Sequence, residues 1–247
     1  MRYFIYVFLL LTVSTVAFGG TGGSVTYQVN GQSYEGYYIS PSDRAPFVLL
    51  IHDWDGLTDY EIKRANMLAD LGYAVFAMDL FGAGLRPTKL EDKRQHTGEL
   101  YKNREKMRAL LQGALDAAME KGANVNNAVA FGYCFGGAAV LELARSGADL
   151  KGFVTFHGGL ATPEGQNYSQ AKGKILILHG TADQAITMDQ FAGLAKELET
   201  AGVEHEMITY SAAPHAFTVF GEKSYQESAD QKSWKRFQEF LAETLKN

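Results

Sequence analysis

The stretch GYCFGG at residues 132–137 decides how the rest of this chain is organised. It follows a short apolar run, residues 128–131, and precedes residues 138–144, whose apolar positions recur at the period of a helix. The sequence therefore predicts a strand, a tight turn and a helix in direct succession. The pattern is that of the nucleophile elbow, Gly-x-Ser-x-Gly, with cysteine in place of serine.

Glycines flank Cys134 because such a turn is crowded. A strand that reverses sharply into a helix holds its apex residue at strained φ/ψ, and neighbouring Cβ atoms would collide. The turn presents the Cys134 sulfur at a helix N-terminus, where backbone N–H groups and the helix dipole favour a thiolate and can hold an oxyanion. A buried structural cysteine is the alternative. The agreement of strand, glycines and helix favours a catalytic nucleophile.

Composition places the chain among globular proteins. Its 247 residues are 46% apolar and 21% charged, enough for a full core. No linker, low-complexity tract or repeat divides it, so residues 21–247 are expected to form a single domain. The net charge of −5 argues against nucleic acid or an anionic membrane as the main partner. Composition leaves the oligomeric state open between monomer and dimer.

Residues 1–20 are predicted to be a secretory signal peptide. Arg2 precedes an uncharged, mostly apolar run at residues 3–18, and small residues follow for cleavage. The run is short for a membrane span of about 20 residues, which makes an uncleaved anchor the alternative. The protein is expected to be exported, periplasmic in a Gram-negative source and otherwise secreted, with no stable membrane association after cleavage. Cys134 is the only cysteine, so no intramolecular disulfide can form.

Predicted strands and helices alternate along the rest of the chain. Two alternating strands around Asn30-Gly31 predict an N-terminal antiparallel hairpin. The later strands are predicted at residues 47–51, 74–78, 128–131, 153–156, 175–178 and 204–210. The helices are predicted at residues 60–71, 90–121 with a break near Gly98, 138–144, 188–201 and 224–246. This alternation predicts a mostly parallel sheet covered by helices on both faces.

Polar residues with useful chemistry follow these strands. Sites in such sheets lie at the carboxyl ends of the strands. The residues found there are His52, Asp79, Cys134, His157, His179, Asp183 and His215. Cys134, Asp183 and His215 follow the order nucleophile, acid and histidine that α/β-hydrolase folds use. His215 would take the thiol proton and Asp183 would orient His215. The alternatives are a histidine capping a loop carbonyl and an aspartate in a turn or helix cap.

Backbone groups are expected to complete the site. The N–H of Phe135, directly after the nucleophile, and the N–H of Trp54 are the predicted oxyanion-hole donors. A set of strand-end and loop side chains is predicted to line the substrate pocket, although core packing would also explain them. They are His52, Trp54, Tyr60, Phe81, Arg86, Tyr133 and His157.

Four segments together give the chain a family resemblance. HDWDGL at residues 52–57, GYCFGG at 132–137, HGTAD at 179–183 and PHAF at 214–217 resemble the dienelactone hydrolase family of the α/β-hydrolase fold. The resemblance implies a Cys134-His215-Asp183 triad that hydrolyses lactones or activated esters through a thioester intermediate, with no metal or cofactor.

Two positions depart from the family pattern. The family implies an accessory carboxylate near the resting thiol, usually glutamate, where this chain has Asp53. Val219 stands where members acting on dienelactone have an arginine that holds the substrate carboxylate. An apolar residue there favours a neutral ester or lactone over an anionic one.

Other site types fit the sequence less well. Paired-cysteine and His-x-x-Glu-His spacings, which would indicate a metal site, do not occur, and the Gly-x-Gly-x-x-Gly spacing of dinucleotide binding is missing at the elbow. A non-catalytic ligand-binding or redox-active thiol at Cys134 is the alternative from another functional class. A thiolate is a good leaving group, so the hydrolase reading favours activated esters, lactones or thioesters over amides.

Overall fold

An eight-stranded sheet runs through residues 22–245, the part of the chain that the computed structural model describes. The strands are β1 (Gly23–Val29), β2 (Gln32–Ile39), β3 (Pro46–Ile51), β4 (Ala74–Met78), β5 (Asn124–Tyr133), β6 (Gly152–Phe156), β7 (Lys174–Gly180) and β8 (His205–Tyr210). The helices are α1 (Asp59–Ala69), α2 (Leu90–Lys102), α3 (Arg104–Glu120), α4 (Phe135–Arg145), α5 (Met188–Ala201) and α6 (Glu227–Thr244).

The strand order is β1-β2-β4-β3-β5-β6-β7-β8. β1 and β2 form an antiparallel hairpin, and β2 pairs antiparallel with β4. All later pairs are parallel. Asn30 and Gly31 have φ values of 50° and 78°, the left-handed conformation of a two-residue hairpin turn. The predicted α/β-hydrolase sheet, mostly parallel with an N-terminal hairpin, is confirmed.

Helices cover both faces of the sheet, which explains the continuous apolar runs in the central strands. Val48 and Leu50 of β3 join the cluster under α1 and α6, whereas Phe47, Leu49 and Ile51 join the cluster under α3 and α4. All five side chains are fully buried. The central strands are thereby fixed in register, and their carboxyl ends form one edge.

The break in the predicted long helix lies at Asn103 and not near Gly98. Asn103 has φ −120° and ψ 80°, and its side chain accepts a hydrogen bond from Lys106 N at 2.9 Å. Asparagine caps a helix N-terminus well, whereas an isolated glycine is tolerated inside a helix. The prediction gave the glycine too much weight and missed the cap.

The predicted signal peptide, residues 1–20, lies outside the described residues. Within residues 22–245, no helix has the length and apolar character needed to cross a membrane.

Candidate active site

Cys134 occupies the turn between β5 and α4 in a conformation that is rare for a non-glycine residue. Its φ is 50° and its ψ is −112°. The Cys134 N–H donates to Phe156 O at 3.1 Å, and Cys134 O accepts from Gly159 N at 3.4 Å. These bonds from the end of β6 hold the strained backbone in place. The sulfur therefore lies at the N-terminus of α4, as the elbow pattern predicts.

Gly136 brings the first turn of α4 against the end of β3. A Cβ atom there would lie 2.3 Å from Ile51 O and 2.4 Å from His52 O. Gly132 is equally constrained, since its Cβ would lie 2.5 Å from Gly136 C and O. Both contacts are with backbone, which cannot rotate aside. The glycines at the elbow are therefore required by close packing.

Gly136→Ala is expected to lower the free energy of unfolding by about 1–3 kcal/mol, the usual cost of overpacking, or to prevent folding. Gly193→Ala in α5 is the matched control, because nothing lies within 4 Å of its Cβ position. That change is expected to stabilise the helix by up to about 1 kcal/mol. Urea denaturation measures both, and equal effects of the two substitutions would contradict the packing argument.

His215 bridges Cys134 and Asp183. Its Nε2 lies 3.1 Å from Cys134 Sγ, and its Nδ1 lies 2.7 Å from Asp183 Oδ2. The other oxygen, Asp183 Oδ1, accepts from Ala185 N and Ile186 N at 2.9 Å each. Asp183 follows β7 and His215 follows β8, so three strand ends bring the side chains together. The carboxylate is fixed by its own loop and can orient the imidazole.

The ring is electrostatically tuned toward its protonated form. Burial alone would lower the pKa of His215, but hydrogen bonds and charges from Asp183 and Cys134 raise it to about 10. Burial alone would raise the pKa of Asp183, but the hydrogen bond from His215 and those from the Ile186 and Ala185 N–H groups bring it below its ordinary value. The arrangement favours a protonated His215 imidazole between Cys134 Sγ and the Asp183 carboxylate.

A consequence for stability follows from the raised pKa of His215. The folded protein holds the His215 proton more tightly than the unfolded chain, whose histidine pKa is about 6.5. The resulting stabilisation is full below about pH 6.5 and is lost as the pH rises toward the folded value of about 10. We expect the difference in unfolding free energy between wild type and His215→Gln to shrink from pH 6 to pH 9.5 in urea titrations, about 1.4 kcal/mol per unit of pH at most. A constant difference would contradict a raised pKa.

The predicted oxyanion donors are the backbone N–H groups of Phe135, the first residue of α4, and of Trp54, in the loop after β3. In the described part of the chain, neither the Phe135 N–H nor the Trp54 N–H donates to a backbone carbonyl outside regular helices and strands. Lys93 of α2 lies 5.2 Å from the centre of the Trp54 ring and forms an ion pair with Asp55 at 2.5 Å. The Trp54 loop is therefore tied to α2.

Tyr101 of α2 is a neighbour of Cys134 that the sequence analysis did not identify. Its ring packs edge-on against Phe135 with centroids 5.3 Å apart. Burial, and then the charge of Cys134, raise the pKa of the Tyr101 hydroxyl above its ordinary value. In the sequence it is one aromatic residue of an amphipathic helix, and nothing there distinguished it.

Asp53 forms a turn in the loop after β3. Its Oδ1 accepts from Asp55 N at 2.8 Å, and burial raises its pKa to about 6. Among the described residues, no hydrogen bond joins Asp53 to Cys134 Sγ. The side chain is one methylene shorter than the glutamate usual in the family, which is consistent with this difference.

Several residues predicted to line the pocket are instead enclosed. His52, Tyr133 and His157 have no exposed surface. The Nε2 atom of His52 accepts a hydrogen bond from Leu80 N at 3.0 Å. Tyr133 is the last residue of β5, and strand alternation directs it into the core under α6. With no exposed surface, these three side chains do not line an open pocket.

The remaining predicted residues are held by protein partners. Arg86 pairs with Glu35 at 3.8 Å, and the Tyr60 hydroxyl lies 2.8 Å from Thr218 Oγ1. The Phe81 ring packs against His52, with centroids 4.7 Å apart. Of the predicted lining residues, Trp54 has the most exposed side chain, at 36%.

The other strand-end residues stabilise loops around the site. Asp79 Oδ1 accepts from Phe81 N at 2.8 Å. His179 Nε2 lies 3.0 Å from Ile186 O and so supports the Asp183 loop. Within residues 22–245, no three His, Cys, Asp or Glu side chains converge as ligands for a metal ion.

Comparisons with known proteins agree on one family. The model of the dienelactone hydrolase family matches residues 34–245. Protein usf of Aquifex pyrophilus is 26% identical over 231 residues, covering 91% of this chain and 99% of that protein. A structure described as a dienelactone hydrolase-like promiscuous phosphotriesterase from metagenomic libraries is 28% identical, with a TM-score of 0.84 and coverage of 91% and 98%. A structure named m3DLH is 29% identical, with the same TM-score of 0.84 and the same coverage of 91% and 98%.

Proposed function

We propose that this chain, which belongs to the dienelactone hydrolase family and is a carboxylic ester hydrolase, cleaves activated esters or lactones through Cys134, His215 and Asp183. The observation that carries the proposal is the continuous contact of these side chains, 3.1 Å from sulfur to imidazole and 2.7 Å from imidazole to carboxylate. Their order along the chain is that of α/β-hydrolases.

Acylation begins at the sulfur. The Cys134 thiolate attacks the carbonyl carbon, and the carbonyl electron pair moves to oxygen, giving a tetrahedral oxyanion. The N–H groups of Phe135 and Trp54 are the proposed donors to that oxygen. The intermediate collapses, the C–O bond to the alcohol breaks, and the departing oxygen takes a proton from the His215 imidazolium. The product is a thioester on Cys134.

Deacylation reverses the proton transfer. His215, now neutral, removes a proton from water, and the resulting hydroxide attacks the thioester carbonyl. The C–S bond breaks, the acid is released, and Cys134 returns as a thiolate beside protonated His215. Asp183 stays ionised throughout and stabilises the imidazolium. The raised pKa of His215 suits this cycle, because the resting ring already carries the proton that the leaving group needs.

The substrate class follows from the nucleophile and from Val219. A thiolate leaves a tetrahedral intermediate more readily than an amine or a basic alkoxide, so activated esters, lactones and thioesters are favoured over amides. Val219, partly exposed in the His215 loop, offers no charge for a substrate carboxylate. We therefore favour a neutral substrate.

Trapping the thioester tests the proposal directly. The protein is mixed with p-nitrophenyl acetate, quenched in acid within the burst phase and digested for mass spectrometry. An acetyl group is expected on the peptide that contains Cys134, and the same peptide from Cys134→Ala should carry none. Acetylation at another residue, or turnover without a Cys134 adduct, would reject the triad. One slow equivalent without turnover would favour a ligand-binding or redox thiol.

Phosphotriester hydrolysis is a second candidate reaction. The similar metagenomic structure, 28% identical, is described as a promiscuous phosphotriesterase. In-line attack of the Cys134 thiolate on phosphorus would form a P–S bond while the P–O bond to the phenol breaks and the departing oxygen takes the His215 proton. Water, deprotonated by the neutral His215, would then attack phosphorus and break the P–S bond, which returns the thiolate. Release of 4-nitrophenol from paraoxon measures this reaction, and Cys134→Ala is its control.

We also propose that the protein is exported, on the basis of the apolar run at residues 3–18 behind Arg2. N-terminal sequencing of protein from the periplasm or culture medium tests this proposal. A mature terminus near residue 21 is expected, and recovery of full-length protein from the cytoplasm alone would reject it.

A further inference from the structure

A buried chain of hydrogen bonds runs behind the proposed triad. His157 Nε2 lies 2.8 Å from Thr218 Oγ1, which in turn lies 2.8 Å from the Tyr60 hydroxyl. Arg64 Nε donates to the Tyr60 oxygen at 3.3 Å, and the guanidinium forms an ion pair with Asp230. The side chains of His157 and Thr218 are fully buried and Arg64 is 1% exposed. The chain links the end of β6 through α1 to α6.

Through Thr218, this series of hydrogen bonds is attached to the loop after β8. Besides the two contacts of its hydroxyl, its carbonyl accepts a hydrogen bond from Arg64 Nη2 at 2.8 Å. It follows His215 by three residues, and the intervening turn has a Val219 N–H to Ala216 O bond of 3.1 Å. Ala216 has a φ of 60°, which is uncommon for alanine. Groups from α1 and β6 therefore fix a turn that is also bonded from the segment after it, where Ser224 Oγ donates to Ala216 O at 3.3 Å and Gln226 N donates to Phe217 O at 3.0 Å.

His157 also contacts His215 directly. The two rings meet edge to face with centroids 5.3 Å apart. His157 itself has a φ of 41°, and its N–H donates to Leu178 O at 2.8 Å. A strained backbone of this kind persists where the surroundings hold it, often at functional sites. Burial, and then the charge of His215, keep the pKa of His157 well below its ordinary value, so the ring stays neutral.

We propose that His157 and Thr218 are positioning residues, which set the His215 imidazole at the correct distance from Cys134 Sγ without touching the substrate. The inference rests on the proposed function of Cys134. A displacement of about 1 Å in such a pair can cost about 100-fold in rate. The neutral His157 ring supports the imidazolium from one side without adding a competing charge, and Thr218 holds the other end of the loop.

Thr218→Val tests the proposal, because valine keeps the shape and removes the hydroxyl. We expect kcat for p-nitrophenyl acetate to fall about tenfold, with KM within about twofold of the wild-type value. Such a change indicates that the lost interaction stabilises the transition state and not substrate binding. The ultraviolet absorbance of the Cys134 thiolate should titrate at a higher pH than in wild type, because the imidazolium is less well placed. Thr218→Ser restores the hydroxyl and should recover most of kcat and of the titration.

Thr200→Val in α5 is the matched control, since the Thr200 hydroxyl donates only to Lys196 O of its own helix, at 2.7 Å. It should leave kcat and the thiolate titration at wild-type values. A thiolate titration and a kcat at wild-type values in Thr218→Val would overturn the proposal. A loss of kcat in Thr218→Ser as large as that in Thr218→Val would also overturn it. Should Thr218→Val not fold, Tyr60→Phe removes the next hydroxyl of the chain and carries the same two expectations.

Failure of this inference is distinguishable from failure of the proposed function. The thiolate titration needs no substrate and reports only the placement of His215 beside Cys134. Full esterase activity in Cys134→Ala would reject the function whatever the titration does. A Cys134-dependent esterase that is insensitive to Thr218→Val would reject only the positioning role.

Discussion

Cys134→Ala is expected to lower kcat/KM for p-nitrophenyl acetate by at least about 10³-fold. The substitution removes the nucleophile and leaves only substrate binding and the oxyanion donors, which cannot form the thioester. At about 1.4 kcal/mol for each factor of ten, the loss exceeds about 4 kcal/mol of transition-state stabilisation. Steady-state kinetics over a range of substrate concentrations measure it.

Folding must be shown to be intact for this result to count. Alanine is smaller than cysteine and the sulfur is partly exposed, so the melting temperature of Cys134→Ala is expected to change by only a few degrees. Cys134→Ser retains a hydroxyl but lacks the acidity of a thiol, and it should remain far below wild type. Wild-type rates in either variant would show that the ester is cleaved elsewhere on the protein.

Asp183→Asn is expected to lower kcat by about 10²- to 10⁴-fold. Asparagine keeps the volume but can donate its amide N–H to His215 Nδ1, which would leave the proton on the wrong nitrogen. The loss of the carboxylate also removes a group that raises the pKa of His215. In the pH profile of kcat/KM, the limb that reports the ionisation of His215 should therefore shift to lower pH.

Asp189→Asn provides the matched control for the Asp183 substitution. Asp189 is exposed in the first turn of α5, and its replacement removes the same charge away from His215. Activity within about twofold of wild type is expected, as for an ordinary surface change. An equal loss of activity in both variants would assign the effect of Asp183→Asn to the change in net charge. An unchanged pH profile in Asp183→Asn would show that Asp183 does not raise the pKa of His215.

Local patterns predicted most of the scaffold. The apolar runs of β3 and β4, the Asn30-Gly31 turn and the glycines around Cys134 each depend on neighbours within a few residues. Such features are written into short stretches of sequence, because strand burial, turn conformation and steric crowding act at that range. The helix break was misplaced because a cap by Asn103 competes with a glycine signal of similar strength.

The three strand-end residues of the proposed triad were also identified from position and order alone, and their mutual contacts appeared only in the fold. Residues that support the site were a different case. Thr218 and Tyr60 are 158 positions apart, and their hydroxyls meet only when the β8 loop folds over α1. No local pattern indicates such a contact.

By itself, the sequence determined the α/β-hydrolase fold, the place of Cys134 at a strand-to-helix turn and the chain order of its partners, because periodicity and turn chemistry are local. The tertiary structure alone decided which side chains face the site. It enclosed His52, Tyr133 and His157, brought Tyr101 beside Phe135, and joined His157 to Thr218. The physical reason is that the direction of a side chain at a strand end depends on register and on packing against elements distant in the chain.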